Sequence, residues 1–383
     1  MIYLSYSNKA SESAILERPS LFSMDAHSLH LPLLLKGDNL DWLSALHQHK
    51  TKLGSIDLIY IDPPYATGQQ FTVGENRVAT ISQSLDDKLA YSDELQGEAF
   101  LEFLRIRLIW LRELLSDKGS IYVHIDYKIG HYVKIIMDEV FGKQNFRNDI
   151  TRIKCNPKNF HRKAYGNVKD MILFYTKTND YIWNDAREAL SEDDLTRLYK
   201  KQDTSGRFYT TVPIHAPSQT RNGSTGQAWR GILPPEGRHW RCAVNELETL
   251  DKAGLIEWSK TGNPRRIIYA DDARRKGKKR QDIWDFKDEQ TINYPTQKNG
   301  DLIASIIETS SNSDSIVLDA FCGSGTTLLE ASKLQRAWIG MDISALAIET
   351  AQKRLETLQL LKPSYTYLEE KNCYHSFELD KAQ

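Results

Sequence analysis

Residues 315–334 run Ser-Ile-Val-Leu-Asp-Ala-Phe-Cys-Gly-Ser-Gly-Thr-Thr-Leu-Leu-Glu-Ala-Ser-Lys-Leu. A short apolar strand ends in Asp319, turns through Gly323-Ser324-Gly325, and passes into a segment whose apolar residues (Leu328, Leu329, Ala331, Leu334) recur at helical spacing. The glycines allow a tight turn and close backbone approach to a ligand. A second apolar strand, Ala337–Asp342, also ends in an acid. In a βαβ unit such an acid commonly accepts hydrogen bonds from ribose hydroxyls. The third glycine of the dinucleotide fingerprint is missing, and Phe321-Cys322 stands where a pyrophosphate would approach. The pattern therefore predicts an α/β chain with a Rossmann-like sheet and a nucleoside site without phosphates.

A second strand, Ile56–Ile61, stops at Asp62-Pro63-Pro64-Tyr65. The prolines remove backbone donors and restrict the residues before them, so this is a rigid bracket rather than a continued strand or a helix start. It presents one carboxylate, bare carbonyls and one flat ring. Oxygens of this kind accept the hydrogens of an exocyclic amine, and the ring can stack on a planar base.

Together the two motifs resemble the S-adenosylmethionine-dependent amino-methyltransferases of DNA. The bracket precedes the Phe-x-Gly-x-Gly turn, an order similar to the β class, whose target-recognition segment lies between the two. Tyr294-Pro-Thr-Gln-Lys298 resembles that family's Thr-Gln-Lys-Pro element, with Asn299 in place of the proline, and Lys36-Gly-Asp-Asn-Leu40 resembles its Gly-Asp box. Gly237-Arg-His-Trp240 and Asp282-Ile-Trp284 look like the type III modification subunits and stand-alone relatives. The resemblance implies a circularly permuted methyltransferase sheet with an inserted recognition domain, acting on adenine N6. It assigns Asp62, Pro63, Pro64 and Tyr65 to catalysis. Asp38, Thr296, Lys298, Asp319, Phe321, Gly323, Ser324, Gly325, Thr326 and Asp342 go to the cofactor, Thr296 and Lys298 by resemblance alone. A homodimer and a restriction endonuclease are the further partners it brings in.

The expected organisation is an N-terminal arm (1–30), a catalytic half (31–180), a recognition region (181–290), a cofactor-binding half (291–360) and a C-terminal tail (361–383). Residues 66–98, polar and glycine-containing, read as a long mobile loop. The net charge of −1 hides an asymmetry. Residues 151–285 hold 26 Lys and Arg against 17 Asp and Glu, a balance of +9, and the remainder stands at −10. One segment is thus suited to phosphate and the other to an enzymatic body. Within the basic part, tryptophans interleave with cations, and Arg274, Arg275, Lys276, Lys278, Lys279 and Arg280 form a run predicted to clamp the DNA backbone. No apolar run approaches the roughly 20 residues of a bilayer span. The four cysteines show no metal spacing, and a reducing cytoplasm is the simplest compartment. No metal is expected.

The expected chemistry is electrostatic. An adenine amine is a poor nucleophile because its lone pair is delocalised. Hydrogen bonds to Asp62 and the Pro63 carbonyl would localise that pair, and Asp62 would balance the positive charge growing on nitrogen. His124 and Asp126, at a strand end near the cleft, read better as structural than as catalytic. A cytosine-N4 enzyme and a non-catalytic DNA-binding module that keeps the fold remain the alternatives.

Overall fold

The computed structural model describes residues 3–22, 30–64, 70–74, 77–79, 88–92, 97–157, 163–220, 223–288, 297–358 and 365–370. The chain divides into two compact units, residues 187–280 and the remainder.

The larger unit is built on nine strands: β1 (Leu33–Lys36), β2 (Ile56–Ile61), β3 (Leu115–Ile125), β4 (Phe146–Ile153), β5 (Lys169–Thr176), β6 (Ile283–Asp285), β7 (Ile316–Asp319), β8 (Ala337–Asp342) and β9 (Thr366–Glu369). Their order across the sheet is β6-β4-β5-β3-β2-β7-β8-β1-β9. Only β5 runs antiparallel to its neighbours; every other pairing is parallel. The parallel register brings the carboxyl ends of β2, β7, β8 and β1 to one edge, with Leu318 opposite Ile59, Asp319 opposite Gly340 and Lys36 opposite Asp342. In open α/β sheets ligands sit outside such an edge.

Helices cover both faces, so the central strands are apolar on both sides. Leu33, Leu35, Ile59 and Ile61 point to one layer, packed against α1 (Asn39–Gln48), α2 (Gly97–Leu114) and α3 (Gly130–Met137). Leu34, Leu58, Tyr60 and Tyr122 point to the other, which holds α4 (Gly300–Ser310), α5 (Thr326–Lys333) and α6 (Ala345–Glu356). This is the period-2 alternation of a strand, with both phases buried.

Three expectations change. The N-terminal segment, read as an arm, lies along the body: Tyr6 Oη donates to Glu102 at 2.6 Å, Lys9 pairs with Glu139 at 2.7 Å, and Ile15 and Phe22 are buried. The stretch read as a loop carries a three-stranded antiparallel sheet of Gln70–Gly74, Arg77–Ala79 and Lys88–Ser92. Asp282-Ile-Trp284, placed with the recognition region, contributes β6 to the large sheet, where Ile283 pairs with Thr151.

The smaller unit contains an antiparallel sheet of four strands (Lys201–Gln202, Phe208–Pro213, Pro264–Tyr269, Ile256–Trp258) and a hairpin of His215–Pro217 with Arg238–Trp240. Trp229 and Trp240 are buried with Ile214, Leu247 and Ile256 in a core of its own. Arg187–Glu188 and Lys278–Lys279, where the chain enters and leaves this unit, pair antiparallel. Among the described residues no helix is long and apolar enough to cross a membrane.

Candidate active site

Asp62 leaves β2 at the sheet's carboxyl edge, followed by a buried Pro63. Its Oδ2 lies 2.9 Å from the Lys298 ammonium, and both side chains are largely shielded from solvent. Lys298, expected at the cofactor, thus holds the carboxylate expected to act on the base. Tyr65 and Thr296 lie outside the described residues. Asn299, which stands where the resembled Thr-Gln-Lys-Pro element has its proline, caps α4: its side-chain oxygen accepts from the Leu302 amide at 3.2 Å. A small polar residue is suited to that position.

Behind Asp62 runs a buried polar chain that sequence reasoning did not assemble. The Tyr60 hydroxyl shares a 2.8 Å hydrogen bond with His124 Nδ1, and His124 Nε2 shares one of 3.2 Å with Asp170. Asp170 also meets Lys154 at 2.7 Å and Arg152 at 3.4 Å. Burial holds the His124 imidazole below its usual pKa, and the Lys298 charge adds to this. Burial alone would raise Asp170; its hydrogen bond with His124 and the charges of Lys298 and Lys154 outweigh that and keep it ionised. Both His124 ring nitrogens are thus bonded within the fold.

The glycine turn follows β7. Gly323 (φ 49°) and Gly325 (φ 76°) both occupy the left-handed region that other residues avoid. A Cβ on Gly325 would stand 2.8 Å from that of Ala351. Asp342 braces the turn from the end of β8, accepting from the Gly323 amide at 2.9 Å and the Ser344 amide at 2.8 Å. Asp319 is buried, accepts from the Phe321 amide at 3.0 Å and from the Thr327 hydroxyl at 2.5 Å, and has its pKa pushed up to about 7. Burial is the main cause, and the Asp62 and Asp342 carboxylates add to it. Burial also raises Asp342. Ser324 and Thr326 accept from Arg354 of α6 through their hydroxyls, at 2.9 Å each, and keep their own O–H groups to donate.

Asp38 caps α1 through the Leu40 amide at 2.8 Å and pairs with Arg107 of α2 at 2.7 Å. Asn39 reaches the Ala320 carbonyl at 2.6 Å and also accepts from Arg107. The Arg107 guanidinium lies 3.6 Å over the Phe103 ring, which stands 6.1 Å from Phe321. Arg107 therefore ties the Gly-Asp box to the glycine turn. Its only trace in the sequence is a charge at a core-facing helical position.

Two glycines with left-handed backbone, a strand-end carboxylate beside them and a buried acid that a nearby cation would ionise together fit a nucleoside bearing positive charge. The family model for N6/N4 methyltransferases, described as a DNA methylase, matches residues 56–353. The chain belongs to this family of DNA methylases. It is 42% identical over 368 residues to the type II methyltransferase M.EcaI of Enterobacter cloacae, covering 92% of this chain and 77% of that one. It is 30% identical over 333 residues to the StyLTI Mod subunit, from a type III restriction-modification enzyme of Salmonella typhimurium, covering 77% of this chain and 49% of that subunit. Among solved structures the M1.HpyAVI–SAM complex aligns at 18% identity with a TM-score of 0.42, over 84% of this chain and 100% of that one. This methylase has the Rossmann-like fold of its family and uses S-adenosylmethionine as methyl donor.

Proposed function

We propose that this methylase transfers a methyl group to the N6 amine of an adenine extruded from duplex DNA at a defined site. The observation that carries the reading is the Asp62 carboxylate, held at the carboxyl end of β2 by Lys298, on the same sheet edge as the glycine turn. Base extrusion is required because the amine is buried in a duplex. Asp62 and the Pro63 carbonyl accept the two amine hydrogens and draw the nitrogen toward tetrahedral geometry. A carboxylate has lone pairs enough to serve the ammonium and the amine together. Asp62 then offsets the charge that grows on nitrogen, and fixed orientation supplies much of the rate. Asp342, Phe321 and the backbone of 323–326 are the groups that would hold the cofactor, with Asp319 facing its cationic end. When bound, S-adenosylmethionine supplies the sulfonium methyl.

The test is nucleoside mass spectrometry of DNA from a host expressing the chain, with methylation-sensitive sequencing for the site. N6-methyladenine at one motif is expected. N4-methylcytosine would replace adenine as the target, and unmodified DNA from a folded protein that binds cofactor would favour the non-catalytic alternative. A homodimer and a partner endonuclease belong to this reading as well; light scattering with and without duplex tests the first.

A further inference from the structure

The cations of the smaller unit fall into two groups that differ in what surrounds them. In the 274–280 run, Arg274 bonds Glu192 at 2.8 Å, Arg275 bonds Asp272 at 2.7 Å, and Lys278 lies 3.1 Å from Glu188 and 3.5 Å from Asp194. Much of that charge is already answered within the unit. The hairpin and its neighbouring strand present the opposite case. Arg238 Nη1 donates to His215 Nδ1 at 3.2 Å, across the pair of strands His215–Pro217 and Arg238–Trp240. Arg241 donates to the Pro213 carbonyl at 3.2 Å, and Arg265, paired with Pro213 in the adjacent strand, donates to the Thr211 carbonyl at 2.7 Å. Their partners are neutral carbonyls, a hydroxyl and an imidazole. Among the described residues none of the three guanidiniums has an ion pair. Arg238 and Arg241 are exposed, and Arg265 is half-buried. Burial and the charges of Arg238, Arg241 and Arg265 all push the His215 imidazole down. Glu257 stands opposite Arg265 in the adjoining strand but is already paired with Lys201 at 2.5 Å.

We infer that Arg238, Arg241 and Arg265, gathered around His215, form the main phosphate-contacting surface of this unit, and that the 274–280 run is secondary. A duplex backbone supplies the anions that Arg238 and Arg241 lack, and guanidiniums already bonded to neutral groups keep further N–H groups for phosphate oxygens. Three cations on one hairpin and strand suit successive phosphates rather than a single free ion. The inference rests on the reading of the chain as a DNA methylase acting on duplexes, and places its backbone contacts.

The experiment uses the full chain. Binding to a fluorescent mixed-sequence duplex is followed by anisotropy across a salt series for the parent, R238Q/R241Q, R238K/R241K and R274Q/R275Q/K278Q. Each phosphate contact contributes about 0.9 to the slope of log K against log salt. R238Q/R241Q is expected to flatten the slope by about 1.8 and to weaken binding roughly 60-fold near 0.1 M salt. R238K/R241K should keep most of the slope, and the run variant should lose less than R238Q/R241Q. Tryptophan fluorescence of the Trp229 and Trp240 core, with unchanged S-adenosylmethionine affinity, shows each variant folded. A parent slope in R238Q/R241Q, a larger loss in the run variant, or a stronger effect on single-stranded RNA than on duplex overturns the inference. It would leave the methylase reading intact provided the parent still labels DNA. A parent that labels no DNA overturns the reading itself.

Discussion

In the proposed mechanism the Asp62–Lys298 pair carries the chemistry. Replacing Asp62 with Ala would remove the group proposed to stabilise charge on the amine, so methyl transfer should fall about 10³-fold while calorimetry shows S-adenosylmethionine still bound. Near-parent label transfer would remove Asp62 from the mechanism. Lys298, paired with that carboxylate at 2.9 Å, is proposed to act one step away by orienting it. Lys298→Met should lower kcat by about 10²-fold with little change in KM for duplex, and Lys298→Arg should recover part of it. A rise in the cofactor KM with kcat unchanged would return Lys298 to the role the Thr-Gln-Lys resemblance implied.

Asp319 adds a pH dependence whose sign follows from burial. Its folded pKa, pushed up to about 7, lies above its ordinary 3.8. The ionised form is therefore disfavoured in the fold, and stability present at low pH is lost as pH rises through about 7. A cationic ligand reverses the preference. S-adenosylmethionine affinity should weaken about tenfold between pH 8 and pH 6, with proton release visible in buffers of different ionisation enthalpy. Asp319→Asn should bind weakly at both pH values and release no proton.

The glycine turn depends on backbone shape more than on side chains. Gly325→Ala places a Cβ where φ is 76° and Ala351 is 2.8 Å away. A loss of about 1–3 kcal/mol is expected, read as a lower melting temperature together with weaker cofactor binding. This turn was legible because strand, acid and glycines follow one another within a dozen residues. Strands β2, β7 and β8 were legible for a related reason: buried on both faces, they are nearly continuous apolar runs. Strand β4 was not. Phe-Arg-Asn-Asp-Ile-Thr-Arg-Ile looks polar, yet Arg152 is fully buried because Asp170 and Asp288 answer its charge. The same limit hid Arg107 and the Tyr60–His124–Asp170 chain. Their meaning lies in partners brought from distant parts of the chain, which periodicity cannot see. The basic run at 274–280 was conspicuous as a sequence, but only the fold reveals the acids facing it.

The two units share no sheet: the nine-stranded sheet takes no strand from residues 187–280. Excising that segment and joining its ends by a short Gly-Ser link should leave a body that binds S-adenosylmethionine within about threefold of the parent, since a unit with its own core can be removed without exposing another. The same protein should transfer no methyl group to duplex DNA. Unfolding of the remainder, read by circular dichroism, would show that the sheet needs the insert.

Entry and exit of the smaller unit form one ribbon, with Lys278 opposite Glu188 and Lys279 opposite Arg187. Two junctions that touch in space make the whole segment a cassette. Recombination at the two junctions could replace everything between them with foreign sequence and return the chain to the same place on the body. If this unit is the recognition region, as the proposed function requires, a lineage carrying this architecture could change which DNA it marks in a single genetic event.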